Sequence, residues 1–328
     1  MRTPCHHDNQ GTLHTAENHM TTATDIKIGL ALGSGSSRGW SHIGIIKGLK
    51  ARGLEPQVIC GASVGAMIGA SYLSGKLDTL ESWVRASTKM DVLRFFEIKP
   101  TNSGLVNVTR FHKFLTDYVA PERLNIEDLK IPFAAVSTDL ETGREMWFSQ
   151  GNLVDAIRAS MAMPGLFPPV RYDSRWLVDG GLVDPVPVGV CRALGANLVI
   201  AVNLNDNIVG KHLRKPPAPV ISPDPQTKGM LANIRQTARE YSNTIFPSTA
   251  NEDEAPGLFY AIANSINIFQ DRITRSRLAG DPADILLTPR LSHIGMLDFH
   301  RAAEAIKEGE AVVERMYPDI ERTLSHWT

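Results

Sequence analysis

Cysteine is scarce in this 328-residue chain: Cys5, Cys60 and Cys191 stand far apart and are odd in number. Their spacing suits neither a disulfide framework nor a metal-ligand set, so a reducing compartment is the economical expectation. Charge of one sign is missing too. Lys plus Arg total 34 and Asp plus Glu 35, which leaves no overall field to draw the chain to nucleic acid or to an acidic partner. No apolar run approaches the ~18 residues of a membrane span, and the first 25 residues lack the apolar stretch of a secretory signal. The expected location is the cytoplasm, with any membrane contact peripheral and confined to the inner face.

What is present divides the chain into four stretches. Residues 1–25 are polar, carry His6, His7 and His14, and read as a disordered tail. Adjacent histidines without further ligands make a poor metal site, and no metal is expected. Residues 26–205 alternate strand and helix patterns. Residues 206–255 are rich in proline and charge and read as a flexible surface segment. Residues 256–328 are mostly helical and are expected to pack on the same domain, beginning with a helix over Leu258 to Leu278 whose basic end faces solvent.

The run Ile26 to Leu32 is a predicted strand, followed by the loop Gly33-Ser34-Gly35-Ser36-Ser37-Arg38-Gly39 and a helix from Trp40 to Arg52 that Gly53 closes. A second strand, Val58 to Cys60, runs into Gly61-Ala62-Ser63-Val64-Gly65 and a helix ending at Gly75. Successive βα units of this kind predict an α/β domain on a largely parallel sheet, with both loops opening at the same edge. Cys60 and Cys191 lie in apolar runs and read as small core residues. Val92, Leu93, Phe95, Phe96 and Ile98 are likewise read as core.

The second loop matches G-x-S-x-G. In such an elbow the serine sits in a strained backbone conformation that exposes its hydroxyl, and the flanking glycines let strand and helix approach closely. Ser63 is therefore the candidate nucleophile. The first loop can offer consecutive backbone N–H groups to an anion, helped by the positive end of the following helix. Arg38-Gly39-Trp40 lacks the Gly-Lys-Ser/Thr of a phosphate-binding loop, and the third glycine comes one residue late for a dinucleotide fingerprint. A serine nucleophile needs a base. His293 and His300 lie late enough in the chain to serve, whereas His42 falls on the helix behind the first loop. Asp179 closes a short strand, Trp176 to Val178, and is followed by Gly180 and Gly181, which free the backbone around it.

These motifs, in this order, resemble those of the patatin-like phospholipases. The likeness extends through Trp40-Ser41-His42-Ile43-Gly44, through ASMAMPGLFPPV at Ala159 to Val170, and into AGDPADILLTPRL at Ala279 to Leu291. In that detail it is similar to the bacterial RssA-type subgroup. The resemblance implies a three-layer α/β/α sandwich with a mostly parallel central sheet, and a serine esterase that degrades lipid esters without cofactor. Residue by residue it implies Ser63 as nucleophile, Asp179 as base, and an oxyanion hole of Gly35, Ser36 and Ser37. Gly33, Arg38, Gly39, Gly61, Gly65, Gly180 and Gly181 complete the motifs. The chain departs from the family pattern where Ser34-Gly35-Ser36 stands for three consecutive glycines and where Asp184 stands for asparagine. The rival expectation is a lipid-binding adaptor that kept the pocket without the chemistry.

Overall fold

A computed structural model describes residues 26–95, 106–206, 208 and 258–327. The expected disordered tail, nearly all of the expected Pro-rich segment, and Phe96 and Ile98 lie outside the described residues. The core is an eight-stranded mixed sheet. Its parallel part runs β3 (Phe133–Asp139), β2 (Val58–Ala62), β1 (Ile28–Leu32), β7 (Leu198–Val202) and β8 (Ile285–Leu287). Every residue of β1, β2, β3 and β7 is buried. That is why they read as continuous apolar runs and not as alternating ones: both faces of a parallel sheet are covered.

One face carries α1 (Ser41–Ala51), α2 (Val64–Leu73), α3 (Leu77–Ala86), α5 (Val108–Tyr118), α6 (Leu153–Ser160) and the long C-terminal α9 (Ala302–Ser325), all contributing to the main core cluster. A short α4 (Lys89–Phe95) follows α3. The other face carries α7 (Val188–Ala193) and α8 (Leu258–Gly280), whose Cys191 and Leu278 pack with Cys60, Val136 and Val199. This is the three-layer α/β/α sandwich expected from the sequence. α1 and α9 meet backbone to backbone, since a Cβ at Gly309 would stand 2.1 Å from the Ser41 carbonyl oxygen.

Three strands depart from the parallel pattern. β4 (Glu145–Phe148) is antiparallel to β3 and lies along one of its edges. The other edge of β3 is shared. Its first half, through Val136, pairs with β2 in parallel, and its second half, Ser137 to Asp139, pairs with β6 (Arg175–Asp179) in antiparallel. β5 (Val170–Tyr172) extends the sheet beyond β6. Because β2 and β6 run in opposite directions along one edge, their carboxyl ends point at each other. Ala62 lies opposite Val136 and Asp179 opposite Ser137, the next residue along.

Candidate active site

β2 enters the elbow fully buried and leaves it as α2, so Ser63 must turn the chain within one residue. It does so at φ 56° and ψ −123°, in the strained region a non-glycine residue rarely occupies. Gly65 makes the turn fit, because a Cβ there would lie 2.0 Å from the Leu32 carbonyl oxygen. The Ser63 amide donates to Ser160 Oγ at 2.8 Å, which fixes the elbow to the end of α6. The Ser63 hydroxyl then donates to Asp179 Oδ2 at 2.6 Å.

Asp179 has no exposure to solvent. Its Oδ1 accepts from the Gly181 amide at 2.8 Å, its own amide donates to the Ala162 carbonyl at 3.0 Å, and its carbonyl accepts from Thr138 Oγ1 at 2.8 Å. Only glycine fits at position 180, since a Cβ there would stand 2.0 Å from the Val136 carbonyl oxygen. Burial pushes the Asp179 carboxyl up to about 7, against the opposing pull of the hydrogen bonds from Ser63 and Gly181. A carboxylate held near neutrality is a far better proton acceptor than one at its ordinary value.

The glycine-rich loop passes directly beside the elbow and leads into a 3-10 turn at Ser36–Trp40; α1 begins at Ser41, one residue after the helix start the sequence suggests. The Ser34 amide donates to the Pro185 carbonyl at 2.8 Å and that of Ser37 to the Met296 carbonyl at 3.3 Å. Of the three amides expected to face an anion, that of Ser37 is thus engaged elsewhere, while those of Gly35 and Ser36 have no protein partner among the described residues. Ser36 takes φ 52°, a conformation for which glycine is the usual choice. Its hydroxyl donates to the Met296 carbonyl at 2.7 Å, and the Ser37 hydroxyl to the Gly295 carbonyl at 2.6 Å. The Ser36 and Ser37 side chains therefore pin the loop to a segment some 260 residues later.

Arg38 is fully buried and reaches Asn267 Oδ1 of α8 at 3.3 Å and the Ile294 carbonyl at 3.5 Å; burial lowers its guanidinium to about 10. His42 is buried behind the loop, bonded to the Gly33 carbonyl at 2.8 Å, and burial pushes it down to about 4. His293 pairs with Glu304 at 2.6 Å, and His300 lies in the turn before α9, lowered by burial. No histidine among the described residues hydrogen-bonds Ser63 or Asp179. Val92 is buried as expected but also lines the cleft described next.

Ser63 opens onto a cleft whose walls are almost wholly apolar, among them Met67, Phe114, Met161, Leu166 and Phe299. Among the described residues the polar side chains on it, apart from Ser63, are Ser36 and Ser87, together with the indole groups of Trp40 and Trp83. Sequence reasoning did not single out Ser160, Thr138 or the carbonyls of Gly295 and Met296. Ser160 lies within the ASMAMPG stretch, where a hydroxyl beside a helix end was the available signal; the two carbonyls have none, because any residue supplies one.

The patatin-like phospholipase family model matches residues 30–192. An uncharacterized NTE family protein of Mycobacterium tuberculosis strain H37Rv is 33% identical over 331 residues, covering 87% of this chain and 90% of that one. Lysophospholipase NTE1 of Mycosarcoma maydis is 35% identical over 182 residues, 55% of this chain but 10% of that protein. Neuropathy target esterase sws of Drosophila melanogaster is 31% identical over 188 residues, 55% of this chain and 13% of that protein. With a match along nine-tenths of the mycobacterial relative and a family signature spanning the elbow and the Asp179 turn, the chain belongs to the patatin-like phospholipase family and is a carboxylic ester hydrolase.

Proposed function

We propose that this protein cleaves the carboxylic ester bond of a lipid by passing the acyl group through Ser63, with Asp179 as general base. Asp179 takes the hydroxyl proton as Ser63 Oγ attacks the carbonyl carbon, and the tetrahedral oxyanion is held by the Gly35 and Ser36 amides and the amino end of α2. Asp179 returns the proton to the departing alcohol, which leaves the acyl chain esterified to Ser63. A water molecule, deprotonated by the same carboxylate, then attacks the acyl-enzyme, and the proton passes back to Ser63 Oγ as the fatty acid leaves. The observation that carries this reading is the 2.6 Å hydrogen bond between a serine in a strained elbow and a buried carboxylate. The apolar cleft beside it suits an acyl chain.

The test is covalent labelling followed by product analysis. Intact-protein mass after treatment with a fluorophosphonate is expected to rise by one adduct that maps to Ser63, and Ser63→Ala is expected neither to label nor to release fatty acid from a lipid extract. An unlabelled, folded wild-type protein would favour the binding-adaptor reading.

A further inference from the structure

The cleft has a direction, and that direction has an end. α2 starts at Ser63 and carries Val64 and Met67 along one wall. At its far end Ser71 Oγ donates to the Tyr118 carbonyl at 3.4 Å, Ser74 Oγ donates to the Val119 carbonyl, and Lys76 Nζ just beyond donates to the Thr116 carbonyl at 2.7 Å. The start of α5 lies at the opposite end, where the Val106 amide donates to the Leu166 carbonyl at 3.1 Å and Phe111 packs on Phe167 with ring centroids 4.5 Å apart. α5 therefore runs away from Ser63 in the same sense as α2, bringing Phe111, Phe114 and Tyr118 to successive depths. Phe111 and Phe114 line the cleft and Tyr118 does not. At Phe114 the cleft wall is joined by Trp83 of α3. The Trp83 and Phe114 rings are 4.8 Å apart, and Tyr118 closes behind them at 5.3 Å and 5.6 Å.

From this we propose that the Trp83–Phe114 pair is the closed end of the acyl channel and sets the length of acyl chain the protein cleaves, Phe114 acting as the specificity-determining residue. The inference rests on the acyl-transfer reading of Ser63. A chain whose carbonyl is held at Ser63 lies along α2 and α5 and gains about fourfold, or 0.8 kcal/mol, for each methylene buried, until its terminal methyl meets the two rings. The next carbon has no volume to enter, and overpacking then opposes binding. Truncating Phe114 opens the space up to Tyr118. That is one helical turn, about 5.4 Å, or roughly four methylenes at about 1.2 Å per extended bond.

The test is a profile of kcat/KM against acyl length, using p-nitrophenyl esters from butyrate to palmitate below their aggregation limits, for wild type, Phe114→Ala and Phe114→Leu. The wild-type profile is expected to rise and then break. Phe114→Ala is expected to move the break about four carbons longer and to raise the ratio of kcat/KM for the ester at the new break to that at the old one by at least tenfold; Phe114→Leu moves it by a smaller step in the same direction. Where Phe114→Ala gives no cooperative melt, Phe114→Leu alone decides. An unchanged break in a folded variant that still labels with fluorophosphonate overturns the ruler and leaves the Ser63 reading intact. Absence of both hydrolysis and labelling in wild type overturns both.

Discussion

Ser63 and Asp179 are 116 residues apart in the chain and joined by a 2.6 Å hydrogen bond because the strands that carry them, β2 and β6, end nose to nose on one edge of β3. Removing the proposed base while keeping its shape tests the pairing. Asp179→Asn retains an acceptor for the Gly181 amide but cannot take a proton, and kcat is expected to fall by about 10²–10⁴-fold. Steady-state kinetics on a soluble ester read this directly, and turnover equal to wild type would remove Asp179 from the chemistry.

The same substitution carries a stability signature. The folded-state Asp179 carboxyl titrates at about 7, above the ~3.9 of an unfolded aspartate. Between these values the folded chain keeps a proton that the unfolded chain has lost. The resulting stabilisation is fully present below the unfolded value and is lost as pH rises through about 7. Asp179→Asn is therefore expected to melt higher than wild type at pH 8, with the gap narrowing toward pH 5. In wild type kcat/KM is expected to drop about tenfold per pH unit below about 7, where Asp179, the proposed base, is protonated.

Ser36 gives a prediction in which glycine outperforms alanine. Its left-handed φ is unfavourable for any residue with a Cβ, by about 1–2 kcal/mol, and its hydroxyl bond to the Met296 carbonyl supports the conformation. Ser36→Gly removes the bond and the strain together and is expected to keep kcat within a few-fold. Ser36→Ala removes the bond alone and is expected to lose roughly tenfold in kcat with KM little changed. Equal kinetics in the two variants would show that the loop conformation does not depend on this contact.

His293 and His300 supply the negative control. Neither contacts the pair, so His293→Asn and His300→Gln are expected to hold kcat/KM within about twofold, the range of ordinary surface substitutions. A collapse of activity in a folded variant of either would restore a histidine base.

Gly309→Ala probes the packing of the C-terminal helix. The added methyl would meet the Ser41 carbonyl at 2.1 Å, so α9 must move off α1. A loss of about 1–3 kcal/mol is expected from overpacking, read as a lower melting temperature with Ser63 labelling retained at low temperature.

Much of this was legible in the sequence because the relevant signals are local. A continuous apolar run, a G-x-S-x-G turn and an aspartate before two glycines each depend on neighbours within five residues. The first two parallel strands and both members of the Ser63–Asp179 pair could be marked on that basis alone. What could not be read is assembled from distant segments. β6 reads as a short strand, but its direction and the half-edge of β3 it occupies are matters of tertiary pairing. Trp83, Phe111 and Phe114 sit on amphipathic helices and look like ordinary core until α2, α3 and α5 are set side by side. The brace on Ser36 and Ser37 uses main-chain carbonyls, which carry no side-chain signature.

The divided edge of β3 makes reactivity a clock for folding. β2 can dock early, among its parallel neighbours, but Ser63 has no partner until the β5–β6 hairpin has added itself in the correct register, and a slip of two residues would carry the carboxylate roughly 7 Å away. During refolding, fluorophosphonate uptake should therefore lag behind the return of helical signal and mark the moment at which the last strand clicks home.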